Sequence, residues 1–395
     1  MPYNFDQLIE RRGSGSAKWS YYPADVLPMW VADMDFVVPD AIRTALYQKI
    51  EHGIFGYELI SDELCQAVCD RMHRLHGWSI TPEQVMAVPG LVTGTNLICR
   101  AFAEPGQGVL VQTPAYPPFL SAPTNNKLVL QAAELTLVKT GQTFHYEIDY
   151  DAFEAAITPP DGGRGQTRLF TLCQPHNPVG QIYTREQLTR LAEICLRHDL
   201  LICSDEIHSE LLLDGNRHLP MAMVSPEVAD RCLTLIAPSK TFNVPGLVCG
   251  FAIIQNEKLR EQFKAACEGF VHVNILGTAA ALAAFRNDPD VNEWLAGLRA
   301  YLTENRDTLV NFVTAQLPRF LTTVPQATYL GWLDCREAGI EGNPFDFFLN
   351  HAKIAFSDGA LFGPGGQGFI RINFGCPRVR LVEALEQMKE ALFNS

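Results

Sequence analysis

A single lysine, Lys240, follows an apolar, β-prone run that begins at Leu233. A lysine at the end of a buried strand costs free energy unless its amine has a task, and a partly desolvated amine reacts well with carbonyl compounds. Taken alone, the lysine also fits an ordinary surface position after a strand. Its role therefore depends on the polar residues that the fold brings close to it.

Other short apolar runs also end at polar or glycine residues, and each is followed by a stretch with helical periodicity. Continuous apolar strands that alternate with helices predict an α/β fold with a mostly parallel sheet covered on both faces. The carboxyl ends of such strands gather along one edge, where ligands bind. Besides Lys240, the residues expected at this edge are Gly90, Tyr116, Asn177, Asp205 and His208.

These residue types match the requirements of pyridoxal phosphate, an aldehyde cofactor that a lysine can bind and that withdraws electrons. We expect Asp205 to keep the ring nitrogen protonated, although a helix cap explains this residue equally well on its own. Asn177 and His208 are expected to bind the ring hydroxyl, and Tyr116 to cover the ring face. For His208 and Tyr116, a buried structural histidine and a packing tyrosine are the alternatives.

The phosphate and the substrate carboxylate need further partners. A helix that begins after Gly90 offers the free amides of Leu91 and Val92 to a phosphate, and Ser239 adds a hydroxyl. Arg371 lies in an otherwise apolar strand and could bind a carboxylate with two parallel hydrogen bonds. A structural salt bridge is the alternative for this arginine. The sequence therefore predicts Lys240 and Tyr116 as catalytic residues, and Arg371 and Asn177 as substrate-binding residues.

Composition limits the remaining classes of function. The chain has 395 residues, which exceeds one hydrophobic core, so two lobes are expected. A net charge of −13 without a lysine and arginine cluster argues against nucleic acid or an anionic membrane as partner. The first residues do not resemble a signal peptide, which predicts a cytoplasmic location. The eleven cysteines form no C-x-x-C pair, so no metal site is expected.

Helical periodicity predicts helices over 40–52, 61–76, 257–285 and 288–316, and Thr184 with Gln187 predicts a capping box. Residues 159–165 are interpreted as a turn-rich connection. The predicted domains are an N-terminal segment, 1–50, that joins the small domain, a large cofactor-binding domain, 51–287, and a small α+β domain, 288–395.

The residue set resembles a known family. Asn177-Pro-x-Gly180, Asp205 with His208 three residues later, Ser239-Lys240 and Arg371-Ile-Asn are similar to motifs of fold-type I pyridoxal-phosphate enzymes of the class I/II aminotransferase group. Segments 27–36, 205–208 and 238–243 resemble the branch of MalY/PatB-type cystathionine β-lyases, or C–S lyases. The resemblance implies a large domain with a mostly parallel, seven-stranded sheet, a small α+β domain, and a homodimer in which Tyr57 reaches the cofactor phosphate of the other subunit.

The resemblance also implies the reaction. Most aminotransferases of this class have arginine at the place of Val248 and tyrosine at the place of His208, and both departures fit the lyase branch. The implied function is α,β-elimination from L-cystathionine or related S-substituted L-cysteines, a small amino-acid substrate class, to give pyruvate, ammonia and a thiol. A pyridoxal-phosphate-dependent aminotransferase and a regulatory protein that binds a transcription factor are the alternatives.

Overall fold

The computed structural model describes residues 3–157, 166–269 and 271–393, so the predicted turn-rich connection at 159–165 lies outside the described residues. Among these described residues, no helix is long and apolar enough to cross a lipid bilayer. The α-helices are α1 (Ala17–Ser20), α2 (Asp40–His52), α3 (Asp62–His76), α4 (Leu91–Phe102), α5 (Pro117–Asn125), α6 (Tyr150–Ile157), α7 (Arg185–Arg197), α8 (Pro226–Ala229), α9 (Pro238–Thr241), α10 (Glu257–Cys267), α11 (Ile275–Phe285), α12 (Pro289–Gln316), α13 (Pro344–Phe347) and α14 (Arg378–Phe393).

The strands form three sheets, of seven, six and two strands. They are β1 (Leu27–Pro28), β2 (Val85–Val88), β3 (Gly108–Thr113), β4 (Val129–Glu134), β5 (Thr136–Thr140), β6 (Thr143–Glu147), β7 (Thr167–Cys173), β8 (Leu201–Asp205), β9 (Cys232–Ile236), β10 (Gly250–Ile254), β11 (Leu321–Thr322), β12 (Leu330–Asp334), β13 (Ile354–Ala355), β14 (Ser357–Asp358) and β15 (Phe369–Asn373).

The seven-stranded sheet has the strand order β2-β10-β9-β8-β7-β3-β4. Strand β10 runs antiparallel to both of its neighbours, and the other adjacent pairs are parallel. Alternate residues of its strands enter two different hydrophobic clusters: Leu110 belongs to one, and Val109 and Val111 to the other. Both faces are therefore buried, which explains the continuous apolar runs in the sequence. The predicted mostly parallel seven-stranded sheet is confirmed.

The six-stranded sheet has the order β14-β15-β12-β11-β6-β5. Strands β5 and β6 come from the middle of the chain, whereas the other four come from its C-terminal part. Strand β1 pairs in parallel with β13, which ties the N-terminal segment to the same part of the fold. The predicted domain limits at residues 50 and 287 stay a prediction.

Local capping sets the ends of several helices. The Ser61 hydroxyl accepts a hydrogen bond from the Leu64 amide at the start of α3, and the predicted capping box of Thr184 and Gln187 begins α7. The prediction of one helix over 257–285 is wrong, because α10 ends at Cys267 and α11 begins at Ile275. Gly269 has a φ of +74°, which interrupts the helical path.

Candidate active site

A cavity of about 300 Å³ lies at the carboxyl edge of the seven-stranded sheet. It forms where several strands end and the following loops or helices begin, as expected for a parallel sheet. Among the site residues predicted from the sequence, those that line this cavity are Gly90, Leu91, Val92, Tyr116, Asn177, Asp205, His208, Ser239 and Lys240.

Lys240 lies in the short helix α9, which follows β9 directly. Its Nζ donates a hydrogen bond of 2.7 Å to the main-chain oxygen of Ala32. Burial, followed by the positive charge of Arg371, lowers the pKa of Lys240 to about 8, against the opposing effect of Asp33 and Asp205. The amine is therefore neutral in an appreciable fraction of molecules near neutral pH, which suits a base or a nucleophile.

Asp205 is the last residue of β8, and only 5% of its surface is exposed. One carboxylate oxygen accepts a hydrogen bond of 3.1 Å from the Ile207 amide. Burial raises the pKa of Asp205 to about 7, because the charged form is poorly solvated. A cationic ligand group, such as a protonated pyridine nitrogen, would stabilise the carboxylate. This carboxylate therefore fits the cofactor predicted from the sequence.

His208 and Asn177 are both buried beside this carboxylate. Burial, followed by the charges of Lys240 and Arg371, lowers the pKa of His208 to about 3, so its imidazole is neutral at pH 7. Within the described part of the chain, Nδ1 of His208 has no hydrogen-bond partner. A buried ring nitrogen without a partner costs free energy, and a polar ligand group in the cavity would remove that cost.

Arg371 lies in β15 of the six-stranded sheet and is 5% exposed. Its guanidinium donates hydrogen bonds to Asn177 Oδ1 (3.1 Å), to the Trp30 oxygen (2.9 Å) and to Ser357 Oγ (3.1 Å). Burial lowers the pKa of Arg371 to about 10. Nε has no partner among the described residues, and no described carboxylate forms an ion pair with this side chain. The carboxylate of an amino acid would supply the missing charge.

The start of α4 forms another wall of the cavity. Gly90 precedes this helix with a φ of +81°, and no side chain in the described part of the chain caps the first amides of the helix. A Cβ atom at Gly90 would lie 3.6 Å from Cγ1 of Val248. Val248 itself has a φ of +49° and lines the same cavity. Free amides at a helix N-terminus, with the Ser239 hydroxyl nearby, fit a phosphate group.

The two predicted tyrosines have different surroundings. Tyr116 lines the cavity and packs edge-on against Phe119, with ring centroids 5.5 Å apart. Burial raises its pKa, so the hydroxyl stays protonated. Tyr57 is 98% exposed, and its ring lies 5.8 Å from that of His272. The fold of one chain does not bring Tyr57 to the cavity.

Sequence reasoning missed several residues at the site. The main-chain oxygens of Trp30 and Ala32 bind the two cations, but a carbonyl group carries no side-chain signal. Tyr329 was also missed: its hydroxyl donates a hydrogen bond of 2.9 Å to the Ala32 oxygen, and its ring lies 6.1 Å from His208. Tyr329 is buried just before β12, and its hydroxyl group was the only sign in the sequence. The other missed lining residues include Thr93, Phe119, Cys173, Ile207, Pro245 and Cys249.

Lys240 and Asp205 line one cavity of this α/β fold, and Arg371, which has no acidic partner among the described residues, bonds to the lining residue Asn177. These features define a fold-type I enzyme that depends on pyridoxal phosphate. The chain belongs to the aminotransferase class I and II family, whose sequence profile matches residues 25–388.

Individual relatives match over nearly the whole chain. Cystathionine beta-lyase PatB of Bacillus subtilis (strain 168) is 38% identical, covering 98% of this chain and 100% of that protein. The crystal structure of OvoB is 41% identical, with a TM-score of 0.91 and full coverage of both chains. Cystalysin from Treponema denticola, whose crystal structure contains pyridoxal 5'-phosphate, is 30% identical, with a TM-score of 0.92 and full coverage of both chains.

Proposed function

We propose that this chain is a pyridoxal-phosphate-dependent carbon–sulfur β-lyase. It cleaves L-cystathionine or related S-substituted L-cysteines to pyruvate, ammonia and a thiol. The observation that carries the proposal is one cavity lined by Lys240, Asp205 and Asn177. The Arg371 guanidinium donates a hydrogen bond to Asn177 in the wall of this cavity. Similarity to a cystathionine beta-lyase along almost the whole chain supports the reaction class.

The residues that line the cavity would each hold a different part of the cofactor. Lys240 would bind its aldehyde carbon, and Asp205 would bind the ring nitrogen. Asn177 and His208 would bind the ring hydroxyl, and Tyr116 would pack on the ring face. The residues at the start of α4 and α9 would donate hydrogen bonds to the phosphate, namely Gly90, Leu91, Val92 and Ser239. When bound, pyridoxal phosphate supplies an aldehyde for the substrate amine and a ring that withdraws electrons from Cα.

The chain's own residues hold the substrate and move the proton. Arg371 and Asn177 bind the substrate carboxylate and fix the orientation of Cα. The Lys240 amine takes the proton from Cα of the substrate. The Cβ–S bond then breaks and its electron pair leaves with sulfur, which takes a proton and departs as a thiol. Water converts the remaining three carbons and the amine to pyruvate and ammonia.

Two positions favour elimination over transamination. Val248, which lines the cavity near Gly90, cannot provide a cation for the phosphate. His208 provides a neutral imidazole instead of a phenol beside the cofactor ring, because burial lowers its pKa to about 3. Both departures from the aminotransferase pattern fit the lyase branch.

The proposal includes a homodimer in which Tyr57 contacts the cofactor phosphate in the other subunit. The exposure of Tyr57 supports this arrangement, since 98% of its surface is open in a single chain. The neighbouring apolar residues Ile54, Phe55 and Leu59 are also exposed, by 71%, 59% and 92%. A cluster of this kind is typical of a surface that another chain covers. The cytoplasmic location predicted from the sequence stays a prediction.

The decisive experiment incubates the purified holoenzyme with L-cystathionine in the absence of any 2-oxo acid. Pyruvate, ammonia and free thiol are then measured over time. We expect the three products in equal amounts, and no increase when a 2-oxo acid is added. Product formation that requires the 2-oxo acid would identify an aminotransferase instead.

A further inference from the structure

Segment 29–36 runs beside the cavity, and its main-chain oxygens accept hydrogen bonds from other parts of the chain. Two of these oxygens bind the cations of the site. The Ala32 oxygen accepts from Lys240 Nζ at 2.7 Å, and the Trp30 oxygen accepts from Arg371 at 2.9 Å. The positions of both cations are therefore linked to the path of this segment.

Asn243 lies three residues after Lys240 and binds the segment with all of its side-chain polar atoms. Its Nδ2 donates to the oxygens of Met34 (2.8 Å) and Phe36 (2.9 Å), and its Oδ1 accepts from the Met34 amide at 2.9 Å. Asn243 has a φ of +56°, a conformation that asparagine and glycine tolerate better than most residues.

Asn373 binds the same segment from the other side of the site. It lies two residues after Arg371 and is fully buried. Its Nδ2 donates to the oxygens of Val31 (2.6 Å) and Asp33 (2.7 Å), the two residues on either side of Ala32. Its Oδ1 accepts a hydrogen bond of 2.7 Å from the Gly375 amide, which fixes the orientation of the side chain.

Each asparagine is thus close in sequence to one cation and is hydrogen-bonded to the segment that holds both. We propose that Asn243 and Asn373 are positioning residues, which fix the Ala32 oxygen as the acceptor for the Lys240 amine. This contact gives the amine a defined place when the substrate amine has replaced it, so that it stays within reach of the Cα proton. The inference rests on the proposed function, in which Lys240 removes that proton.

The test uses Asn243→Gly, because glycine accepts the positive φ and removes only the side-chain contacts. Asn256→Ala is the matched control. Asn256 also makes three hydrogen bonds, to the main chain and side chain of Asp230 and from the Leu259 amide, and it follows β10 outside the cavity. Asn243→Asp, which keeps one acceptor and loses both donors, serves as the second variant if the glycine variant does not fold.

Hydrogen exchange and the deuterium isotope effect are measured on each holoenzyme. Hydrogen exchange is measured again without cofactor. Hydrogen exchange followed by mass spectrometry reports the opening of segment 29–36. Elimination from substrate deuterated at Cα reports whether proton removal limits the rate. For Asn243→Gly we expect faster exchange in 29–36, a kcat lower by about 10- to 100-fold, and a larger deuterium isotope effect than in the wild type. Asn256→Ala should match the wild type in the isotope effect and in exchange of the segment.

If Asn243→Gly keeps the kcat and the isotope effect of the wild type, this result would overturn the positioning role, whether or not segment 29–36 exchanges faster. A lower kcat with a smaller isotope effect than in the wild type would overturn it too, because a step other than proton removal would then limit the rate. A wild-type enzyme that forms no thiol from L-cystathionine would instead overturn the proposed function, and the wild-type assay detects this outcome first.

Discussion

The guanidinium of Arg371 donates a hydrogen bond of 3.1 Å to the side-chain oxygen of Asn177, across 194 positions of sequence. Asn177 follows β7 of the seven-stranded sheet, whereas Arg371 lies in β15 of the six-stranded sheet. This contact joins the two sheets at the cavity. Because no described carboxylate pairs with Arg371, we propose that the substrate carboxylate completes the arrangement.

Replacing Arg371 with lysine should weaken substrate binding. Lysine keeps the charge but loses the planar pair of donors, and loss of a buried bidentate contact costs roughly 2–5 kcal/mol. We therefore expect a KM for L-cystathionine higher by about 30-fold or more, measured by steady-state thiol release. Arg336→Lys is the control, since Arg336 pairs with Asp334 and its side chain is 47% exposed. An unchanged KM in Arg371→Lys would count against the assigned role.

Lys240→Ala should remove elimination without abolishing cofactor binding. The other cavity residues remain in place, but the amine that binds the aldehyde and removes the proton is gone. We expect a rate of pyruvate formation lower by about 10³-fold or more. Borohydride reduction should attach the cofactor to the Lys240 peptide in the wild type and not in the variant, as read by mass spectrometry. Lys264→Ala, an exposed position in α10, is the control, and normal turnover of Lys240→Ala would refute the assignment.

Asp205→Asn should change how the stability of the cofactor-free protein depends on pH. Burial raises the folded-state pKa of Asp205 to about 7, from its ordinary value of 3.8. Between these values the folded chain holds a proton that the unfolded chain releases, so the free energy of unfolding falls as pH rises towards 7. The asparagine side chain does not ionise, so the free energy of unfolding of the variant does not fall in this way. The variant should therefore gain thermal stability relative to the wild type when the pH is raised from about 5 to about 8.

Asp199→Asn is a control variant, for which the stability relative to the wild type should change with pH in the opposite direction. Its Arg231 partner lowers the pKa of the exposed Asp199 carboxylate, so the charged form stabilises the folded chain at high pH. This variant should lose stability relative to the wild type as pH rises through the range below about 4, where the Asp199 carboxyl ionises, and the difference should stay constant from about pH 5 to about 8. A stability difference for Asp205→Asn that is independent of pH would argue against a buried, proton-binding carboxylate.

Tyr57 can be tested by mixing two inactive variants. If each site takes Lys240 from one subunit and Tyr57 from the other, a heterodimer of Tyr57→Ala and Lys240→Ala chains contains one intact site. We expect each purified variant to have low lyase activity, and the mixture to recover activity after the subunits exchange. A mixture that exchanges subunits, as shown by mass spectrometry, and stays inactive would contradict the contribution of Tyr57 to the other site.

Side-chain chemistry at strand ends could be predicted from the sequence. The apolar runs before Asp205 and Lys240 are strands β8 and β9, and the two residues meet at the cavity because parallel strands share one edge. Arg371 was also predicted, since a charge in an apolar strand needs a partner. For these residues, the place in the sequence relative to an apolar strand is enough to predict that the side chain lies at the site.

Other features depend on contacts that the local pattern does not contain. The pattern of residues 136–147 predicts neither strands β5 and β6 nor the sheet that they join. Strand β6 pairs with β11 of the C-terminal part, and β5 pairs with β6. The direction of β10 was not predicted either, because an apolar run reads the same in parallel and antiparallel pairing. The oxygens of Trp30 and Ala32 are main-chain groups, so their contacts follow only from the tertiary fold.

The hydrogen bond between Arg371 and the Trp30 oxygen spans 341 positions of sequence. A ribosome must therefore make nearly the whole chain before the substrate side of the cavity can close. Contacts of such high sequence separation form late in folding, because a large loop must close first. Complete closure of the site around its cofactor is thus a late event in the biogenesis of this enzyme, and a chain that stops before β15 cannot complete it.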